Sequence, residues 1–261
     1  FESFMYNEDD PCSITVPGEF CFPFDSVAGT VRYFTCDALD PDPANPRPVP
    51  EVALTFFETC DSDTSTSVAV TDSTGAYLFP EACEGCSYDV TPAKPKLLTG
   101  VEFINSWDAQ QVLAYVVQNI ALDLCPVPAQ GYDRTGLGDL VFCAPPGDFQ
   151  AGTVFLPGWP GDPSAYRVLP QRVNSEVSGN GTITAFDASL ILRYAVGDSA
   201  GLASRAGDWE FLCAEKHLAP ETDIAHSDYT GFLMGDVSGN WAPGTPLPAP
   251  SPSRIAFEME T

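Results

Sequence analysis

Positive charge is what this chain has least of: 11 lysines and arginines stand against 36 aspartates and glutamates, for a formal net charge of -25. So acidic a surface repels phosphate backbones and anionic membranes, which excludes a nucleic-acid role, and attracts cations, calcium above all. Histidine is nearly as scarce. His217 and His226 lie in polar sequence with no Cys/His ligand spacing around them, so they read as solvated surface. Long apolar runs are also missing, and no stretch approaches the length of a membrane span. The first residues, Phe1-Glu2-Ser3-Phe4, lack the basic and apolar regions of a signal peptide, and the expectation is a mature, processed form. Catalytic motifs are absent as well: there is no serine nucleophile elbow, phosphate loop or zinc motif, and the carboxylates form no identifiable pair. A protein without enzymatic activity is expected.

What is present begins with size. The 261 residues, 44% of them hydrophobic, suffice for one large domain or two ordinary ones. Nine cysteines spread over both halves suit an oxidising compartment, so the expected location is extracellular or the cell surface. Prolines crowd residues 40–50 and 243–252, marking loop and linker.

From residue 27 to 92 the pattern is short, alternating and β-branched: Thr30-Val31-Arg32-Tyr33-Phe34, Val52-Ala53-Leu54-Thr55-Phe56, Ser67-Val68-Ala69-Val70-Thr71, Ala76-Tyr77-Leu78-Phe79 and Ser87-Tyr88-Asp89-Val90-Thr91. Period two predicts strands, and the Asp72-Ser73-Thr74-Gly75 turn joins two of them in a meander or Greek key. After Pro95 the period changes, and amphipathic helices are predicted over 107–119 and 186–196. At an offset of 79 residues Ile104, Asp108, Ala109, Leu113, Tyr115 and Val117 recur as Ile183, Asp187, Ala188, Leu192, Tyr194 and Val196, the mark of a duplicated unit. Trp107 and Tyr115, at helical spacing, read as core rather than a sugar platform. The expected division is an N-terminal extension (1–26), a β-sandwich (27–95), a helical module (96–241) with an insertion of unassigned fold (124–172), and a proline-rich linker with a terminal strand (242–261).

The second repeat carries the chemistry. Glu176, Ser178, Asn180, Thr184 and Asp187 put side-chain oxygens at the first, third, fifth, ninth and twelfth places of a loop whose sixth residue is Gly181. A hard cation wants six to eight oxygens, the sixth place needs φ > 0, and the seventh, Thr182, offers its carbonyl. Ile183 at the eighth place would pair two such loops. The alternative is a Ser/Gly/Asn turn with Thr184 or Asp187 capping the helix. The first repeat keeps only the back half of a loop, Phe103, Asn105 and Asp108, since Leu97, Thr99 and Val101 stand where early ligands belong. Asp236-Val237-Ser238-Gly239-Asn240 repeats Glu176-Val177-Ser178-Gly179-Asn180 in four of five places, but Trp241 replaces the glycine and no helix follows. One split calcium site is therefore expected from Asp236, Ser238, Asn240, Phe103, Asn105 and Asp108; alternatively Asp108 caps its helix and Asp236 sits in a turn.

Two resemblances attach to these residues. Gly29-Thr30-Val31, Pro48-Val49-Pro50, the 71–79 turn and strand, and Tyr88-Asp89-Val90-Thr91-Pro92 resemble the prealbumin-like, immunoglobulin-type folds of carboxypeptidase-regulatory-like and collagen-binding B-type repeats, which implies stalk, spacer or adhesin use. The segment 176–197 resembles dockerins, calcium modules with two loop-helix repeats that dock onto cohesin domains; Glu176 stands where their aspartate belongs, and the long insertion is foreign to a compact dockerin. Together they imply an all-β, immunoglobulin-like sandwich followed by a small α, dockerin-like calcium-binding domain with a long insertion. The cysteines are expected to pair as Cys60 with Cys83 or Cys86 and Cys125 with Cys143, leaving Cys36 and Cys213 to meet across the domain boundary.

The functional expectation is an extracellular calcium-binding structural or assembly protein: a scaffold, adhesin or filament subunit whose partners include copies of itself, reached through the alternating strand 255–259. A dockerin bound to a cohesin-bearing partner through Ser189, Leu190 and Arg193 is the alternative, and carbohydrate binding by the sandwich or the Trp159 region a weaker one.

Overall fold

The computed structural model describes residues 25–34, 47–60, 63–82, 86–97, 103–122, 127–128, 131–133, 140–142, 153–155, 166–198, 203–212, 214–218, 224 and 226–243. Alternation does what it predicts in the first third. Strands β1 (Asp25–Tyr33), β2 (Ala53–Cys60), β3 (Asp63–Val70), β4 (Ala76–Ala82) and β5 (Ser87–Ala93) form where β-branched and aromatic residues alternate. The β3–β4 turn closes on Asp72, whose Oδ1 accepts from Thr74 N at 2.8 Å, Thr74 Oγ1 at 2.7 Å and Ala76 N at 3.1 Å.

Next come helix α1 (Ser106–Val116) and five strands of two or three residues: β6 (Val127–Pro128), β7 (Gly131–Asp133), β8 (Leu140–Phe142), β9 (Thr153–Phe155) and β10 (Tyr166–Val168). They give the 124–172 insertion a three-stranded sheet, β6-β10-β9, and a β7–β8 pair. Helices α2 (Pro170–Ser175) and α3 (Ala185–Ala195) follow, then β11 (Trp209–Leu212), β12 (Lys216–Leu218) and β13 (Tyr229–Leu233).

The last three strands lie beyond residue 95 and still join the first five. The two four-stranded sheets are ordered β11-β13-β1-β4 and β12-β5-β2-β3, so each takes strands from the segment assigned to the helical module. β1 lies between β4, antiparallel, and β13, parallel, with Val31 opposite Tyr229. A parallel pair needs a long crossover, here all the elements between Tyr33 and Tyr229, the helices among them. Phe56 of β2 stacks on Phe79 of β4 at 4.5 Å, and Tyr229 of β13 donates to the Val90 carbonyl of β5 at 3.2 Å. The inner faces therefore close on each other in a β-sandwich-like arrangement.

Helices α1 and α3 pack together, and their buried residues, Ala109, Val112, Ile191 and Tyr194 among them, continue the same core as the sheets. The join is tight at Gly207, which has φ +86°: an added Cβ would lie 2.3 Å from the Tyr194 hydroxyl, which itself donates to the Leu97 carbonyl at 2.5 Å. Cys60 is bonded to Cys86, one of the two expected partners, across the strand ends of β2 and β5. Cys36, Cys83, Cys125, Cys143, Cys213, Trp159 and the strand 255–259 lie outside the described residues.

Candidate metal centre

The contiguous loop is organised around two carboxylates. Glu176 Oε1 accepts from Ser178 Oγ at 2.8 Å and Asn180 N at 2.9 Å. Asp187 Oδ1 accepts from Val177 N at 3.1 Å and Ser178 N at 2.9 Å, while its Oδ2 accepts from Thr184 N at 2.8 Å and Thr184 Oγ1 at 2.9 Å. Thr184 and Asp187 are also the N-cap and third residue of α3 and form a capping box. Capping and loop closure thus coexist in the same two side chains. Gly179 and Gly181 take φ +75° and +77°, the left-handed turns that bend the loop around its centre.

The split loop reproduces that pattern from residues far apart in sequence. Asp236 Oδ1 accepts from Ser238 Oγ at 3.2 Å and Asn240 N at 3.1 Å, as Glu176 does from Ser178 and Asn180. Asp108 Oδ1 accepts from Ser238 N at 2.8 Å across 130 positions, as Asp187 does from Ser178 N, and its Oδ2 accepts from Asn105 N at 2.9 Å. Asn105 and Asp108 cap α1 with a capping box, and Gly239 takes φ +68° where Gly179 has +75°. All four side-chain residues of the duplicated frame, Asp236, Ser238, Asn105 and Asp108, are therefore assembled as the contiguous loop assembles Glu176, Ser178, Thr184 and Asp187. Trp241 in place of glycine takes no positive φ, so no left-handed turn is required of it.

Asn180 accepts from Thr182 N at 2.8 Å through its side chain, and Asn240 enters through its backbone. Thr182 and Phe103, at the seventh places, have carbonyls that accept no hydrogen bond among the described residues. Ile104 and Ile183 form no backbone bridge, contrary to expectation; Ile104 is buried in the core instead, and Ile183 packs at its edge.

Electrostatically the two loops are in deficit. Asp108, Asp187 and Asp236 are wholly buried and Glu176 is 1% exposed, yet among the described residues none pairs with a lysine, arginine or histidine. Burial pushes the Asp236 carboxyl up to about 7, helped by the Asp108 charge and opposed by hydrogen bonds from Tyr33, Trp241 and Asn240. Burial likewise raises Asp108, against hydrogen bonds from Asn105, Ser238 and Val237. A buried charge is costly unless paired, hydrogen-bonded or coordinated to a metal. Clustered carboxylate, hydroxyl, amide and carbonyl oxygens are the donors that calcium takes. A different cluster, Glu58, Cys60 and Cys86, has both sulfurs consumed in the disulfide and so offers no thiolate ligand.

Sequence reasoning missed three side chains, Tyr33, Arg47 and Asn174. Tyr33 of β1 donates to Asp236 Oδ2 at 2.7 Å, and Trp241 N donates to the same oxygen at 2.9 Å. Arg47 donates to the Gly239 carbonyl at 2.8 Å and to that of Trp241. Asn174 donates through Nδ2 to the Asp236 carbonyl at 2.7 Å. No local signal marks them, because each reaches the loop from another layer.

Outside the loops, two surface readings change. Trp107, expected in the core, is 58% exposed. Leu190, expected on an outward face with Ser189 and Arg193, is buried; the exposed apolar residues of α3 and its end are Phe186, Leu192 and Val196. Their counterparts at the 79-residue offset, Trp107, Leu113 and Val117, are exposed too. His217 and His226 are exposed as expected, His217 beside Asp89 at 2.5 Å. Among the described residues no helix is long and apolar enough to cross a membrane. Comparison with protein-family models, with curated proteins and with solved structures found no match to this chain.

Proposed function

We propose that this chain is an extracellular calcium-binding structural protein that acts through protein–protein contacts, with one ion in each loop. The observation that supports it is the repetition of one hydrogen-bonding frame around two pairs of buried carboxylates, Glu176 with Asp187 and Asp236 with Asp108. Glu176, Ser178, Asn180, Thr182, Thr184 and Asp187 would hold one ion; Asp236, Ser238, Asn240, Phe103, Asn105 and Asp108 would hold the other. Calcium would supply charge neutralisation and rigidity, not chemistry. The disulfide and the acidic composition suit an oxidising, calcium-rich exterior.

A docking role of the dockerin kind is the second reading, favoured by the duplicated apolar face on α1 and α3.

Calorimetric titration of calcium into chelator-stripped protein, with sedimentation at both end points, tests the proposal. Uptake of two ions is expected. Calcium-dependent self-association that is lost in Leu192→Ser would identify assembly, and a two-ion monomer would favour docking to a different partner. No uptake would refute calcium binding altogether.

A further inference from the structure

The two loops differ in what holds their first carboxylate. Glu176 is fixed by its own loop, through Ser178 and Asn180, within four residues of itself. Asp236 has the same two bonds and, on its other oxygen, both Trp241 N and the hydroxyl of Tyr33, the latter 203 positions earlier on strand β1. The Tyr33 ring is 1% exposed and locked on several sides: Phe34 lies 4.7 Å away, Trp241 5.1 Å and Trp209 5.9 Å, centroid to centroid. Arg47 stands over the same ring at 6.0 Å while binding the Gly239 and Trp241 carbonyls. The sheet therefore joins the loop in orienting the Asp236 carboxylate, which among the described residues no residue outside the loop does for Glu176.

We infer that Tyr33 is a positioning residue for the cation of the split loop, so that this second site forms only on a folded sandwich while the contiguous loop loads on its own. The inference rests on the calcium reading above. It follows from how ligands are held: a carboxylate that binds a metal is oriented by the group hydrogen-bonded to it, and removing such a partner weakens metal binding while leaving the ligands themselves in place. An ion at the split loop would bridge three parts of the chain, the end of β13 through Asp236, the start of α1 through Asp108, and β1 through Tyr33. It would act as a clasp between the helical layer and the sheets. The contiguous loop has no such outside support among the hydrogen bonds to Glu176 and Asp187.

The test is Tyr33→Phe in the full chain, which keeps the ring and deletes only the hydroxyl. Calcium titration by calorimetry should show one binding step unchanged and the other weakened about ten- to hundredfold. Glu176→Gln, which disables the contiguous loop, should leave a single step, and that step should be the one sensitive to Tyr33→Phe. Terbium provides a second readout, because its emission is sensitised by nearby tryptophan and tyrosine: in Glu176→Gln the signal should build up at higher terbium concentration once Tyr33 is also replaced. Two steps of unchanged affinity in Tyr33→Phe overturn the inference and leave the calcium reading standing. Equal weakening of both steps shows a general loosening of the fold and also overturns it. Absence of any calcium uptake by the unaltered protein defeats the reading and the inference together.

Discussion

Replacing Asp187 by alanine separates a helix cap from a metal ligand, the two roles its geometry allows. The side chain accepts four hydrogen bonds, from Val177 N, Ser178 N, Thr184 N and Thr184 Oγ1. Deleting it removes the reciprocal half of the α3 capping box, costing about 1 kcal/mol, and strands buried amide donors at a further cost of about 1–3 kcal/mol. In chelator, urea denaturation should therefore show a loss of about 2–4 kcal/mol. With calcium at about a hundred times its dissociation constant, the unaltered loop gains a further ~2.7 kcal/mol from the bound ion, so the gap between the two proteins should widen to about 5–7 kcal/mol. The split loop is intact in both proteins and cancels. A gap of the same size with and without calcium would refute the metal role and leave Asp187 a capping residue alone.

Two further outcomes concern the sheets. Lys216 of β12 is buried, its ammonium donating to the Asp228 carbonyl at 2.5 Å and lying 4.0 Å from the Tyr229 ring centroid; burial pushes it down to about 7 despite the Asp228 charge. The unfolded chain keeps a proton that the folded one releases, so stability should rise with pH above about 7, and between pH 7 and 9 the protein should gain about 2 kcal/mol relative to Lys216→Met in urea titrations. Parallel pH profiles for the two proteins would contradict this. The Cys60–Cys86 bond closes a loop with a sequence separation of 26, and the double replacement Cys60→Ala with Cys86→Ala should cost about 3–4 kcal/mol by the same assay. An unchanged denaturation midpoint would show that the bridge adds nothing.

Local pattern carried the elements and much of the candidate site. Alternation located β1 to β5, helical periodicity located α1 and α3, and loop spacing singled out Glu176 to Asp187 because those ligands lie on one short stretch of chain. Even the split loop was legible, since each half retains its motif and the 79-residue repeat shows which half is missing. Sheet membership was not. Trp209 to Leu212 and Tyr229 to Leu233 are short apolar runs that fit a strand or a buried turn equally well, and nothing local says that β13 lies parallel to β1. The outward turn of Trp107 and the inward turn of Leu190 likewise depend on which face of each helix meets the core. The sequence by itself determined which oxygens are at hand and in what order. The tertiary structure decided that β13 lies beside β1 and that Tyr33 reaches the Asp236 carboxylate. Such contacts are fixed by burial of a common core across some two hundred residues, which no local spacing encodes.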